Sequence, residues 1–250
     1  MINILKTELY KLYKRKIFLA ILILSSFSLL YSLGVFLGWD FVEISGEIDI
    51  ITFCTVMWSL LMMLGIPLIM FSYLAASTAG GEIQDGQILF EISHSKSRKK
   101  LMIGKFSAIV TIILVCYILN FILSSIFYIL FMARSSVGNT DFFSFESYHG
   151  ILLLKSFAGI LLLIFLSAMA FAFSINFGVF RSIVFALVVY VVLKMLMYIH
   201  SINVFVPGYL TLFDKADFSM PTLIYQSIFL IFLTIAVIAV TLKNFNHKDF

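Results

Sequence analysis

Apolar runs of about 20 residues alternate with short polar stretches along most of the chain, and each run is long enough to cross a bilayer as a helix. Six such spans are expected, at residues 17–37, 50–76, 101–133, 151–180, 182–199 and 222–242. Residues 101–133 and 151–180 exceed the length needed and are expected to tilt or project. Pro67, in LGIPLIM, predicts a bend in the second span because it removes a backbone donor and crowds the preceding turn. A static packing kink and a gating role are both open there. The stretch from His200 to Pro221 is too apolar for a free loop and too broken by Pro207, Gly208 and Pro221 for a span. Short interfacial or re-entrant pieces are expected there.

Before the first span, residues 1–16 carry Ile2, Leu5, Leu9, Leu12 and Tyr13 on one side of a 3.6-residue repeat, with Lys6, Lys11, Lys14 and Arg15 mostly on the other. Such a segment is expected to lie in the membrane interface, its cations among anionic head groups. A cleaved signal peptide would show a small-residue site after its apolar core. None follows residues 17–37, so this run reads as a retained span.

Composition agrees with a bilayer. Of 250 residues, 62% are hydrophobic and 12% charged, against an apolar share of roughly 45–50% in soluble domains. Cys54 and Cys116 fall inside apolar runs without metal-ligand spacing and read as small buried hydrophobes. The net charge of +4 sits beside the spans and forms no nucleic-acid surface. With both termini in the cytosol, Lys6, Lys11, Lys14, Arg15, Lys16, Lys96, Arg98, Lys99, Lys100, Lys105, Arg181, Lys243 and Lys248 lie inside, and only Arg134, Lys155, Lys194 and Lys215 lie towards the outside. That asymmetry sets the expected orientation. The outer loops are acidic instead, with Asp40, Glu43, Glu47, Asp49, Asp141, Glu146, Asp214 and Asp217.

Lys155 and Lys194 lie one to two turns from the outer boundary, where long stems carry the ammonium to the interface; contact with an anionic substrate group or a partner helix is the alternative. The spans hold no deep Asp or Glu, which argues against an ion-coupled carrier. No G-x-x-x-x-G-K-[ST] or G-x-S-x-G occurs, and His94, His149, His200 and His247 form no metal pattern. A membrane-embedded enzyme assembled from distant loops is the less favoured alternative.

The most informative polar stretch runs from Gly80 to Lys105, where Glu82, Asp85 and Glu91 precede Lys96, Arg98, Lys99, Lys100 and Lys105. Small residues from Ala75 to Gly81 permit close helix packing at the exit of the second span. If helical, Ile83, Gly86 and Phe90 share one side while Ile88 and Ile92 share another. An element apolar on both sides suits a wedge between a membrane body and a partner's groove. A basic loop that serves only topology is the plainer alternative.

Glu82, Gly86, Ile88-Leu89, Ser97-Arg98 and Lys105, together with the opening Leu5-Lys6-Thr7-Glu8-Leu9-Tyr10-Lys11-Leu12 and the six spans, resemble the permease subunits of bacterial ABC-2 type exporters. In size and layout the chain is similar to lantibiotic-immunity and antimicrobial-peptide export permeases, and also to membrane subunits of the phenol-soluble-modulin exporter. Ser95 stands where such permeases often carry proline before the Ser-Arg pair. The resemblance implies an all-α integral membrane protein of type V exporter architecture, forming a single transmembrane domain over residues 1–250. Residues 1–16 would be an elbow helix with Lys6, Glu8, Lys11, Lys14 and Arg15 at the interface. Residues 80–100 would be a coupling loop seating Glu82, Ile83, Gly86, Ile88, Leu89, Phe90, Ser97 and Arg98 on a cytosolic ATPase. It further implies two ATPase copies holding ATP and magnesium, a second permease that is a copy or a sister subunit, and no cofactor in this chain. Amphipathic peptides exported across the bacterial cell membrane are the implied cargo, and Pro67, Lys155 and Lys194 are candidates for gating or substrate contact.

Overall fold

The computed structural model describes residues 2–39, 48–95, 97–135, 137–139, 147–211 and 219–248. Among them every regular element is helical: α1 (Ile2–Lys14), α2 (Ile17–Ser25), α3 (Phe27–Phe36), α4 (Ile50–Met63), α5 (Ile66–Ala76), α6 (Glu82–Gln84), α7 (Gln87–His94), α8 (Arg98–Leu130), α9 (Ser147–Phe177), α10 (Val179–Met197) and α11 (Met220–Asn246). Among the described residues the one extended pairing is an isolated bridge between Ile48 and Gly138. Six stretches are long and apolar enough to cross a membrane: Ile17–Phe36, Ile66–Gln84, Arg98–Arg134, His149–Phe177, Val179–Met197 and Met220–Asn246. The chain is therefore a multi-pass membrane protein in character. Asp40, Glu43, Glu47, Lys96, Asp141, Glu146, Asp214, Lys215 and Asp217 lie outside the described residues.

The second span differs from expectation. Residues 50–76 do not form one helix: α4 ends at Met63, and Gly65 takes a left-handed conformation at φ 71° before α5 begins. Only a residue without a Cβ enters that region at little cost. Pro67 falls in the first turn of α5, where a missing backbone donor leaves no bond unmade. It therefore starts a helix instead of bending one. At 14 residues, α4 rises only about 21 Å, and the spanning stretch shifts to Ile66–Gln84, into the segment expected to be loop.

The chain divides into two compact units. The first comprises Met1–Lys11, Gly65–Ile113 and Ala158–Phe250. Its centre is α9, on which Leu163, Leu166, Ala170 and Phe171 are buried, facing a core that includes Phe71, Leu74, Ala79 and Ile109. Beside α5 the helix widens into a π-helical turn, Ser77–Gly81, and the Gly80 N–H donates to Ser174 Oγ at 3.1 Å. The polar-apolar stretch after α10 folds as two single turns of 3-10 helix, Asn203–Phe205 and Tyr209–Thr211. Tyr209 and Leu210 are buried, and the Gln226 amide on α11 holds the stretch by accepting from Gly208 N at 3.2 Å and donating to Val204 O.

The second unit comprises Leu12–Leu64 and Leu114–Phe157. Phe53, Cys54, Met57, Tyr128 and Met132 form its core. At one end the Tyr128 hydroxyl stands 2.6 Å from Ile48 O and 2.8 Å from Asn139 O. Asp49 caps α4 by accepting from Thr52 N at 2.9 Å and meets His149 Nε2 at 2.6 Å. Trp58 stands edge-on to Tyr117 at 5.1 Å, and the Tyr117 hydroxyl lies 2.6 Å from Ser156 Oγ.

Candidate functional site

Four elements of the first unit converge on five charged side chains. Helix α1 supplies Glu8 and Lys11, α6 supplies Glu82, α7 supplies Glu91, and α8 supplies Lys105. Lys105 is fully buried, and an ammonium has three N–H donors. One contact goes to each carboxylate: Glu8 Oε1 at 3.1 Å, Glu91 Oε2 at 2.6 Å, and Glu82 Oε2. Lys11 repeats the pattern from the rim, at 3.0 Å from Glu8 and 3.4 Å from Glu82, with a close pair to Glu91. Every carboxylate thus meets both ammoniums. Charges are retained in such surroundings only when paired in this way, because isolated burial of any one of them is prohibitive.

The backbone makes the convergence possible. Gly104 leaves room for α1 to lie directly on α8: a Cβ there would sit 2.5 Å from Ile4 Cγ2. Gly86, at φ 71°, turns the chain sharply between α6 and α7, so that Glu91 returns towards Glu82. Carboxylate oxygens of Glu8, Glu82 and Glu91 lie within 4.8 Å of one another, a donor set of the kind that holds a hard cation. Here Lys11 and Lys105 supply the positive charge.

The inward face of α1 is rotated from the one expected. Glu8 and Leu12 are buried while Tyr10 and Tyr13 are about 60% exposed, because the ionic contacts outweigh the burial of two interfacial tyrosines. Lys6, Lys14 and Arg15 remain exposed. On α7, Ile88 is buried and Glu91 faces the node, whereas Leu89 and Phe90 point outward at 50% and 71% exposure. The Phe90 ring lies 4.4 Å from that of His94, whose Nδ1 is 2.9 Å from Phe90 O. Because the chain turns at Gly86, Ile83 and Phe90 do not share a continuous helical face.

Arg98 does a different job from the outward-facing residues. Its Nη1 donates to Lys248 O at 3.2 Å and reaches Asn246 O at 3.5 Å, while the Lys248 ammonium donates to Ile175 O near the end of α9. A cation at a helix C-terminus meets unpaired carbonyls and the negative end of the helix dipole. Ser97 is partly buried just before α8. Lys155 is 8% exposed and enclosed in the second unit instead of extending from it. Lys194 donates to Thr211 Oγ1 at 3.0 Å, tying α10 to the stretch that follows it. Neither Pro67 nor these lysines joins the node. The pairing of Lys105 with Glu8, Glu82 and Glu91 has no signal in sequence, where the one local cue is the i, i+3 pair Glu8–Lys11.

The node has a pH signature. Burial alone would raise the Glu91 carboxyl, but hydrogen bonds and charge from Lys105, then Lys11, hold it below its ordinary value of 4.5. For Lys11 burial works downward, yet Glu91, Glu8 and Glu82 carry it above its ordinary 10.5. A depressed carboxyl contributes stability above its unfolded pKa and loses it as pH falls through the folded one. A raised ammonium contributes below its unfolded pKa and loses it as pH rises through the folded one. Melting temperature in detergent is therefore expected to hold between about pH 5 and pH 10 and to fall outside that window. Glu91→Gln should flatten the acid limb; an acid limb identical to that of the unmodified chain would refute the pairing.

Comparison of the chain with family models, curated proteins and solved structures finds no match.

Proposed function

We propose that this chain is the membrane permease subunit of an ATP-driven exporter, with hydrolysis carried out by a separate cytosolic ATPase that binds ATP and magnesium. The observation that carries the reading is α7: a short helix outside the spanning stretches, anchored inward by Ile88 and Glu91, that presents Leu89 and Phe90 outward. An exposed apolar pair on a rigidly held helix fits a groove on a partner protein. Through Glu91, Lys105 and Glu8, a push on α7 reaches α8 and α1 without intervening slack. Two ATPases closing on nucleotide would then rotate two permease halves, this chain with a copy of itself or a sister subunit, between inward-open and outward-open states.

In this reading the protein sits in the bacterial cell membrane with both termini cytosolic. The contacts of Arg98 with Asn246 and Lys248, and of Glu8 with Lys105, support that orientation by gathering the start, the middle and the end of the chain at one place in the first unit. Amphipathic peptides are the proposed cargo. An ion-coupled carrier is the competing reading, and it requires transport driven by an ion gradient with no ATPase present.

The test separates docking from folding. Glu82 is buried with Lys105, so a variant there disturbs the fold before it reports on a partner. Leu89→Ser with Phe90→Ser removes only outward-facing side chains. Purified with an affinity tag from its native membrane, the unmodified chain is expected to carry an ATPase with it, and this double variant to lose at least about tenfold in co-purified ATPase, from the two apolar contacts removed, at an unchanged melting temperature. Full retention of ATPase and transport would refute the assignment.

A further inference from the structure

Within the second unit the first span runs beside α8. Ser25 lies near Cys116 with its hydroxyl unpartnered, and Phe36 stands edge-on to Phe131 at 5.9 Å. Between those two contacts along each helix, polar residues are sealed from solvent. Ser28 and Ser32 on the first span and Ser124 on α8 are fully buried, and Asn120 is 1% exposed. The Ser28 and Ser32 hydroxyls donate to carbonyls of their own helix, Ser25 O and Leu29 O. Neither amide atom of Asn120 has a hydrogen-bond partner, and neither does Ser124 Oγ. Trp58 Nε1 is likewise unpartnered, and its ring abuts Tyr117, one turn from Asn120 on α8.

Each such group costs about 1–3 kcal/mol when sealed from any partner, and the penalty is fully felt in an apolar unit. A leucine would fill the position of Asn120 without it. That cost is recovered only where the amide finds a partner, which requires the first span and α8 to part.

We infer that this seam binds the peptide backbone of the transported chain, a proposal that rests on the exporter reading. The chemistry selects the ligand. The seam offers one amide donor, one amide acceptor and a hydroxyl. A peptide unit carries the complementary N–H and C=O, both of which need partners once out of water.

Cys116, one turn from Asn120, reports on the seam directly. In a Cys54→Ser chain it is the single thiol, and a charged methanethiosulfonate reacts only with a thiolate, which forms where water reaches. The purified chain in phosphatidylglycerol-containing vesicles is labelled with and without a synthetic amphipathic helical peptide. Labelling of Cys116 is expected in the folded chain and slowed about fivefold when the peptide stands at about four times its dissociation constant. Asn120→Leu should abolish that protection while leaving the melting temperature equal or higher. The proposal is overturned if Cys116 reacts only after denaturation, if the peptide leaves the rate unchanged, or if Asn120→Leu is protected as well as the unmodified chain. No ATPase enters this experiment, so loss of ATPase docking and failure of the seam are separate results.

Discussion

Replacing Lys105 by Met is expected to lower the stability of the folded chain by about 3–5 kcal/mol, the usual consequence of removing one member of a buried ionic group. Three carboxylates would then share Lys11 alone, and Lys11 is only half-buried. The change is sharply testable because the remedy is specific. Glu82→Gln in the same chain removes the carboxylate whose Oε2 faces Lys105 and should recover part of the loss. Lys105→Arg keeps the charge but cannot place three N–H bonds at one point, so a partial defect is expected. Thermal melts of the detergent-solubilised single and double variants give the coupling energy by a mutant cycle. Additive effects at Lys105 and Glu82 would show that the node is not a unit. Stability and assembly should fail together in Lys105→Met, unlike the Leu89 and Phe90 variant, which should lose only the partner.

The second large effect is expected at Gly80. A Cβ built there meets the carbonyl oxygen of Ser174 and lies 2.7 Å from Ser174 Cβ. Because two of the three colliding atoms belong to the α9 backbone, no side-chain rotation relieves the contact. Gly80→Ala should therefore cost about 1–3 kcal/mol through overpacking and weaken the Gly80–Ser174 hydrogen bond. Ser174→Gly, which takes away one of the three atoms, should relieve only part of the loss. A melting temperature for Gly80→Ala equal to that of the unmodified chain would mean that the π-helical turn and α9 are not in this contact.

The helical class and five of the six spans are legible in the apolar runs, since length and hydrophobicity alone decide whether a helix can cross. The split at residues 63–66 is not. An apolar run continues through Gly65 without interruption, and a positive φ leaves no trace in hydropathy. The ionic node is hidden for another reason: Glu8 and Lys105 are 97 positions apart, and a charge in an amphipathic pattern reads as solvent-facing until its partner is placed. Glu8 therefore reads as an interface residue when it is one of the most enclosed groups in the first unit. Asn120 is the opposite case. One carboxamide inside a long apolar helix is visible in sequence, but whether it is partnered depends on helices that sequence does not position.

The clasp of Arg98 on the carbonyls of Asn246 and Lys248 has a consequence for biogenesis. A ribosome delivers Glu8 first, Lys105 much later, and Lys248 later still. The acidic side chains of α1 and α6 must therefore wait with Lys11 as their counter-charge until α8 emerges, and the α9 end stays uncovered until Lys248 follows. Nascent chains halted before α11 are accordingly expected to be preferred prey for membrane quality-control proteases, and the arrival of α11 and Lys248 acts as the maturation checkpoint.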